Sequence, residues 1–475
     1  MVGRELEREI LARKRASREA EFIAVYGRRR VGKTFLIREF FKDEICFELT
    51  GIHGGSLADQ LREFAKALAK AKGTKKISSA PKSWQEAFWQ LEEFASQLKK
   101  RKGERRVIFL DELPWLDTHR SKFRGSLGQF WNTWACQQSD VILVVCGSAA
   151  AWMIQKLLHD RGGLHNRVTC RIRLEPFTLK EGEEFLKSRK VALSRKQVVE
   201  VMMVTGGIPH YLKEVRKGRS AAQVIDELCF RSEGLLRDEF DRLYQSLFVK
   251  ADNHIRVVRA LSKLGRGLTR QEVAKETGIA LGGGLSKVLE ELEESGFIEG
   301  AAMFGYESKE RHYRLIDEFS HFYLRWIEPN RRKTMSWENL GETAKWRAWS
   351  GYAFESLCRR HLAQMKRALG IAGVQTEQST WSHVGSAKES GAQVDLLIDR
   401  RDDCIHLCEM KFAHGEFVID KRYAERLRER KETFRRVTRT RKTLFITLVT
   451  TFGVKENPYA LELVQSELKM DDLFE

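Results

Sequence analysis

Apolar residues in the first part of the chain fall in short unbroken runs: Phe22-Ile23-Ala24-Val25-Tyr26, Val107-Ile108-Phe109-Leu110 and Val141-Ile142-Leu143-Val144-Val145. Runs of this length without polar alternation predict strands covered on both faces. A helix is predicted at about 33–42, segment 71–81 reads as a loop, and residues 178–250 are mostly helical by pattern. Strands alternating with helices give an α/β class with a parallel, helix-flanked sheet.

The pattern changes over 254–316. Thr269-Arg270-Gln271-Glu272 is a capping box that opens a short helix ended by Gly278. Leu285, Val288, Leu289 and Leu292 share one face of a second helix, which stops at Ser295-Gly296 before two short strands. Helices followed by a hairpin suggest a winged-helix domain. From about 346 the order is a helix, strands near 372–378, 393–399 and 404–412, a basic helix, and a last strand at 444–450. Four blocks follow: a parallel α/β core over 1–178, a helical lid over 179–250, a winged helix over 251–328, and a C-terminal α/β domain over 329–475.

Length supports several domains, since 475 residues at roughly 150 per domain gives about three. No apolar run approaches the roughly 20 residues that span a membrane, and the start, Met1-Val2-Gly3-Arg4-Glu5, lacks the apolar segment of a signal peptide. The eight cysteines contain no Cys-x-x-Cys pair, so neither a zinc site nor a disulfide framework is expected. A reducing, cytoplasmic setting is the expectation. The formal charge of +18 suggests a polyanionic partner, nucleic acid fitting best and solubility alone being the alternative; DNA is expected ahead of RNA on grounds other than charge.

Candidate chemistry begins at Gly27-Arg28-Arg29-Arg30-Val31-Gly32-Lys33-Thr34, followed by Phe35. The run has the form G-x-x-x-x-G-K-[ST] and lies between a predicted strand and a predicted helix. Its glycines let backbone N–H groups face phosphate, Lys33 reaches the β- and γ-phosphates, and Thr34 ligates Mg²⁺. ATP and Mg²⁺ are thus the expected cofactors. Asp111 and Glu112 end the second buried strand; Asp111 is placed to hold the metal and Glu112 to activate water. Ser148, after the next strand, is a candidate γ-phosphate sensor, an ordinary loop serine being the alternative. Arg167 is a candidate arginine finger toward a neighbouring subunit, a solvated arginine being the alternative. Gly206-Gly207-Ile208-Pro209 either breaks a helix or packs on adenine through Pro209.

These motifs, from Gly3-Arg4-Glu5 through Leu110-Asp111-Glu112-Leu113-Pro114-Trp115 and Cys146-Gly147-Ser148 to Gly207-Ile208-Pro209, resemble archaeal-type ATPases of the STAND class, relatives of AAA+ and origin-recognition ATPases. The resemblance implies that the opening Gly-Arg-Glu and the Gly-x-Pro motif lie near adenine. It also implies a homo-oligomer and a possible role in defence against foreign DNA.

The C-terminal block carries Glu355 in a helix, Asp395 in Gln393-Val394-Asp395, and Glu409 and Lys411 in Glu409-Met410-Lys411. Alternate strand residues share a face, so Glu409 and Lys411 point together and a neighbouring strand can bring Asp395 alongside. Carboxylates with a lysine suit metal-assisted phosphodiester hydrolysis, Asp395 and Glu409 being the candidate Mg²⁺ ligands. This order resembles the PD-(D/E)xK nuclease fold, which implies catalytic roles for Glu355, Asp395, Glu409 and Lys411. Residues 421–442 hold eleven Lys or Arg against three Glu, a track suited to a phosphate backbone. The second helix of the winged-helix block exposes Lys287, Glu290, Glu291, Glu293 and Glu294 by pattern, which disfavours major-groove docking, whereas Lys309, Arg311 and Arg314 are candidate hairpin contacts to DNA. The expectation is an ATP-controlled, Mg²⁺-dependent nuclease. The rivals are a signalling or scaffold ATPase with an inactive nucleic-acid-binding domain, and a DNA-loading or regulatory ATPase.

Overall fold

Each of the three apolar runs becomes a strand of one parallel sheet. The computed structural model describes residues 1–75, 79–99, 103–159, 162–248, 250–263, 267–305, 311–331, 336–337, 343–385 and 391–475. Of the loop-like stretch 71–81, residues 76–78 lie outside the described residues. The chain divides into two units, Met1–Pro176 and Phe177–Glu475.

In the first unit, strands β1 (Glu21–Tyr26), β2 (Ile45–Thr50), β3 (Arg106–Asp111), β4 (Val141–Gly147) and β5 (Cys170–Arg173) take the order β2-β3-β4-β1-β5. All pairs are parallel. The central strands β3 and β4 are buried throughout, as their unbroken apolar sequence requires. β2 and β5 escaped the sequence reading because they are short edge strands whose apolar and polar residues alternate. Helices Leu57–Ala71, Trp84–Gln97 and Phe123–Thr133 contribute an aromatic core that includes Phe64, Trp84, Phe88, Phe123 and Phe130. The register pairs Tyr26 with Gly147, Leu110 with Val145 and Thr50 with Asp111, so the carboxyl ends of β1, β4 and β3 finish together. β4 lies between the other two, which decides the site geometry below.

The second unit starts with helices Leu179–Ser188, Arg195–Thr205, Ala221–Cys229 and Glu239–Leu247. Helices Asp252–Ser262, Arg270–Thr277 and Gly283–Glu294 follow, with strands β6 (Leu268–Thr269), β7 (Ile298–Ala302) and β8 (Arg311–Leu315) in an antiparallel sheet ordered β6-β8-β7. After helix Ala344–Arg360 come β9 (Thr376–His383), β10 (Ala392–Arg400), β11 (Cys404–Lys411), β12 (Thr443–Thr450) and β13 (Ser466–Lys469), ordered β13-β12-β11-β10-β9. β9, β10 and β11 are antiparallel, while β12 and β13 join in parallel. Helix Lys421–Thr438 is the crossover between parallel β11 and β12.

β9 begins four residues later than its expected start at 372, because residues 372–374 form a turn and the strand is a polar edge, Thr376-Glu377-Gln378-Ser379-Thr380. Side chains pack across the expected lines at 250 and 328. Met303, at the end of β7, bridges Thr380 of β9, and Phe304 packs on Phe434 at 5.2 Å between ring centroids. Arg314 of β8 pairs with Glu355 at 2.7 Å, and Arg359 pairs with Glu299 of β7 at 2.7 Å. Arg360 reaches further back, to Gly206 O at 3.0 Å, Phe177 O at 3.1 Å and the buried Glu318 at 2.9 Å.

Candidate functional site

The chain leaves β1 through Gly27, whose φ of 141° is open to glycine, and a Cβ there would lie 2.3 Å from Leu174 O. Arg30 and Gly32 also take positive φ, 69° and 96°, which curls the segment before helix Lys33–Phe40. No atom lies within 4 Å of the position a Gly32 Cβ would take, so this glycine serves the turn and leaves open space. Val31 and Arg28 are buried, Arg29 and Arg30 are half-buried, and Phe35 is exposed at the start of the helix.

Lys33 is buried and donates to Gly27 O at 3.0 Å, Arg28 O at 2.9 Å and Ser148 Oγ at 2.9 Å. Burial lowers its pKa, with Glu112 and Asp111 acting against that shift. Thr34 donates its hydroxyl to Asp111 Oδ2 at 2.8 Å. Burial raises Asp111, opposed by the Thr34 hydrogen bond. Glu112 occupies left-handed backbone, φ 48°, and accepts from Ser148 at both oxygens: Oγ to Oε1 at 2.6 Å and N to Oε2 at 3.1 Å. Lys33, Thr34, Asp111, Glu112 and Ser148 therefore meet at one sheet edge. Arg167 lies on an exposed turn whose backbone N–H donates to Leu164 O at 3.1 Å. Pro209 belongs to the second unit, where it opens the short helix Pro209–Leu212 after Gly206 has capped Arg195–Thr205.

The C-terminal acids are gathered only in part. Lys411 pairs with Glu409 at 2.6 Å, as strand alternation requires. Arg430, from the basic helix, binds the other Glu409 oxygen. Burial opposes ionisation of Glu409, but Lys411 and Arg430 hold its carboxyl below the ordinary value. Asp395 lies where the β9–β10 register shifts between Val394 and Leu397, accepts from Gln393 Nε2 at 2.6 Å, and acts electrostatically on Glu355. Burial, then Asp395, raises Glu355 to about 7 despite Arg314 and Arg359. Among the described residues, no group of three or more His, Cys, Asp or Glu is placed to hold a metal ion. The shift belongs to the β9–β10 ladder; the β10–β11 ladder keeps regular register, with Leu396 against Cys408.

The basic helix exposes Lys421, Arg422, Arg426, Arg435 and Arg436, with Arg439 and Arg441 exposed just beyond it. Arg428 and Lys442 are instead engaged by Glu462 and Asp399. Two expectations for the hairpin block are corrected. Arg314 is buried against Glu355 rather than presented to solvent, and Tyr352 of the same helix donates to Leu315 O of β8. Glu291 and Glu293 are half-buried on His254 (2.8 Å) and Arg311 (2.5 Å), and Glu294 is half-buried as well, so the helix Gly283–Glu294 is less acidic toward solvent than its sequence implies. Lys309 lies outside the described residues.

Residues 1–215 match a family model described as an ATPase domain predominantly from Archaea. Over these residues the chain is similar to archaeal-type ATPase domains. An uncharacterized protein of Methanocaldococcus jannaschii is 25% identical over 402 residues, covering 83% of each chain. Similar solved structures include a Walker-type ATPase of Pyrococcus abyssi (17% identity, 68% of this chain and 96% of that one, TM-score 0.48). The ORC2 protein of Aeropyrum pernix is another (15% identity, 68% and 92%, TM-score 0.42). A STAND protein of Pyrococcus horikoshii with a tetratricopeptide-repeat sensor is a third (15% identity, 78% and 52%, TM-score 0.30). Among the described residues, no helix is long and apolar enough to cross a membrane.

Within the ATPase domain, the structure adds one residue to the site. Arg4, buried and at φ 61°, donates to Val31 O of the P-loop at 2.9 Å and to Glu175 O at 2.6 Å. The Gly3-Arg4-Glu5 motif was visible in the sequence; its role as a brace was not, because the carbonyls it holds lie 27 and 171 positions away.

Proposed function

We propose that this chain hydrolyses ATP with Mg²⁺ and uses the cycle to control a C-terminal domain that binds and cuts nucleic acid. The ATP half rests on one observation: a buried lysine, a threonine–aspartate pair and a glutamate meet at the carboxyl edge of a parallel sheet. The site suits a polyphosphate. Its turn is open at Gly32, and Lys33 carries a charge that burial disfavours and an anion would stabilise. Thr34 and Asp111 would hold the metal, Lys33 the β- and γ-phosphates, and Glu112 would take the proton from the attacking water. The nucleotide supplies the phosphorus to be attacked. Arg167, exposed, is offered to a neighbouring subunit, and the working form is a homo-oligomer.

The nucleic-acid half is supported by the Glu409–Lys411 pair and the exposed cations of the basic helix. Asp395 and Glu409 would hold Mg²⁺, with Lys411 beside the attacking water and Glu355 as an accessory acid. For Glu409 to ligate a metal, Arg430 has to give way, and a backbone phosphate is the anion suited to draw it off. The three helices and hairpin of 251–328 read as a winged helix, here serving as a connector. Defence against foreign DNA is the role this combination suits. The test is cleavage of single- and double-stranded DNA and RNA with Mg²⁺, with and without ATP, by wild type, Glu409→Ala and Lys33→Ala. Equal cutting by wild type and Glu409→Ala sinks the nuclease assignment.

One observation favours a second reading: both Glu409 oxygens are already engaged, by Lys411 and by Arg430. An ATPase with a nucleic-acid-binding but inactive C-terminal domain would bind DNA in a salt-dependent way and cut nothing.

A further inference from the structure

Strand order places Ser148 between the two halves of the ATP site. Lys33 follows β1, Glu112 follows β3, and β4, which ends at Gly147 just before Ser148, lies between those strands. A single hydroxyl can then touch both. Ser148 Oγ accepts from Lys33 Nζ at 2.9 Å and donates to Glu112 Oε1 at 2.6 Å, while the Ser148 N–H takes the second carboxylate oxygen at 3.1 Å. Both oxygens of the proposed base are therefore engaged by one residue. The positive φ of Glu112 adds a backbone conformation that L residues rarely adopt.

Hydrogen bonds in a chain polarise one another, so the cation on Ser148 Oγ strengthens that hydroxyl as a donor to Glu112. A phosphate chain in the P-loop would draw Lys33 toward itself and off Ser148. We propose that Ser148 is a positioning residue that parks Glu112 while no nucleotide is bound and loosens it when Lys33 turns to the phosphates. Phosphate binding and release of the base are one event in this arrangement. The proposal rests on the ATPase reading given above and extends it to the control of that same site.

A parked ground state makes nucleotide binding weaker than it would otherwise be, because the relay has to be broken. Removing the hydroxyl abolishes that cost. In the full chain, Ser148→Ala is expected to bind a non-hydrolysable ATP analogue about five-fold more tightly, the worth of one net hydrogen bond. Ser148→Thr, which keeps the hydroxyl, returns to the wild-type affinity. In a Glu112→Gln background, the gain from Ser148→Ala shrinks to less than about two-fold, because the base it releases is already altered. Calorimetric titration reads all three, alongside kcat and KM for ATP. Unchanged or weaker analogue binding by Ser148→Ala overturns the proposal, as does a full five-fold gain in the Glu112→Gln background. The ATPase reading fails separately, if wild type binds no nucleotide or Lys33→Ala binds it equally well.

Discussion

Arg4 and Glu355 each place a charged group where its backbone or burial disfavours it. Arg4 holds the P-loop carbonyl of Val31 from a left-handed position, so it fixes a segment whose own conformation includes positive φ at Arg30 and Gly32. Arg4→Ala is expected to weaken ATP binding several-fold and lower stability by about 2 kcal/mol, through loss of one buried and one partly buried hydrogen bond; nucleotide titration and denaturant unfolding measure the two effects. Glu355 offers a pH test. Its pKa is raised from 4.5 to about 7, chiefly by burial. A raised value means the folded chain holds that proton more tightly than the unfolded chain. The stabilisation is full below about 4.5 and lost as pH rises through about 7. Unfolding free energies of wild type should therefore fall across this window by up to about 3 kcal/mol more than those of Glu355→Gln; parallel curves would contradict it. The P-loop residues were legible because their spacing is local and each glycine has a backbone reason. Arg4's brace and the Arg314 partner of Glu355 were not, because both depend on contacts far apart in the chain.

At the scale of elements, the hairpin β7–β8 is fastened to the C-terminal sheet and helix at its edge, its ring and its charges. Phe434 is fully buried among Trp381, Val394, Leu397, Ile405, Leu407 and Leu444, with Phe304 packed alongside. Phe434→Ala is expected to cost about 3–5 kcal/mol in chemical unfolding of the full chain. Binary pattern found β1, β3, β4, β10, β11, β12 and the basic helix, where apolar runs or periodicity were strong. It misplaced β9, a polar edge strand whose identity comes from pairing with β10 rather than from its own residues. It also read Glu291 and Glu293 as solvent-facing, since helical pattern cannot see that His254 and Arg311 stand beside them.

For the whole molecule, the +18 charge matters through its placement. Arg435, Arg439 and Arg441 are exposed near the end of the basic helix and just past it. Replacing all three by Ala should weaken nucleic-acid binding at low salt and reduce the slope of log affinity against log salt by about 2–3, near the counterions released per phosphate contact. Fluorescence anisotropy across a salt series reads the slope; an unchanged slope would place the contacts elsewhere. The buried pair Arg314–Glu355 also bears on ancestry. Its partners stand 41 residues apart, on either side of the line that sequence alone drew at 328. A recombination at that line would hand the descendant a guanidinium in its interior with no acid to meet it, a defect on the order of 3–5 kcal/mol. Exchanges of the C-terminal domain are thus expected to carry the hairpin with them. In related chains the hairpin and the C-terminal domain should share one lineage.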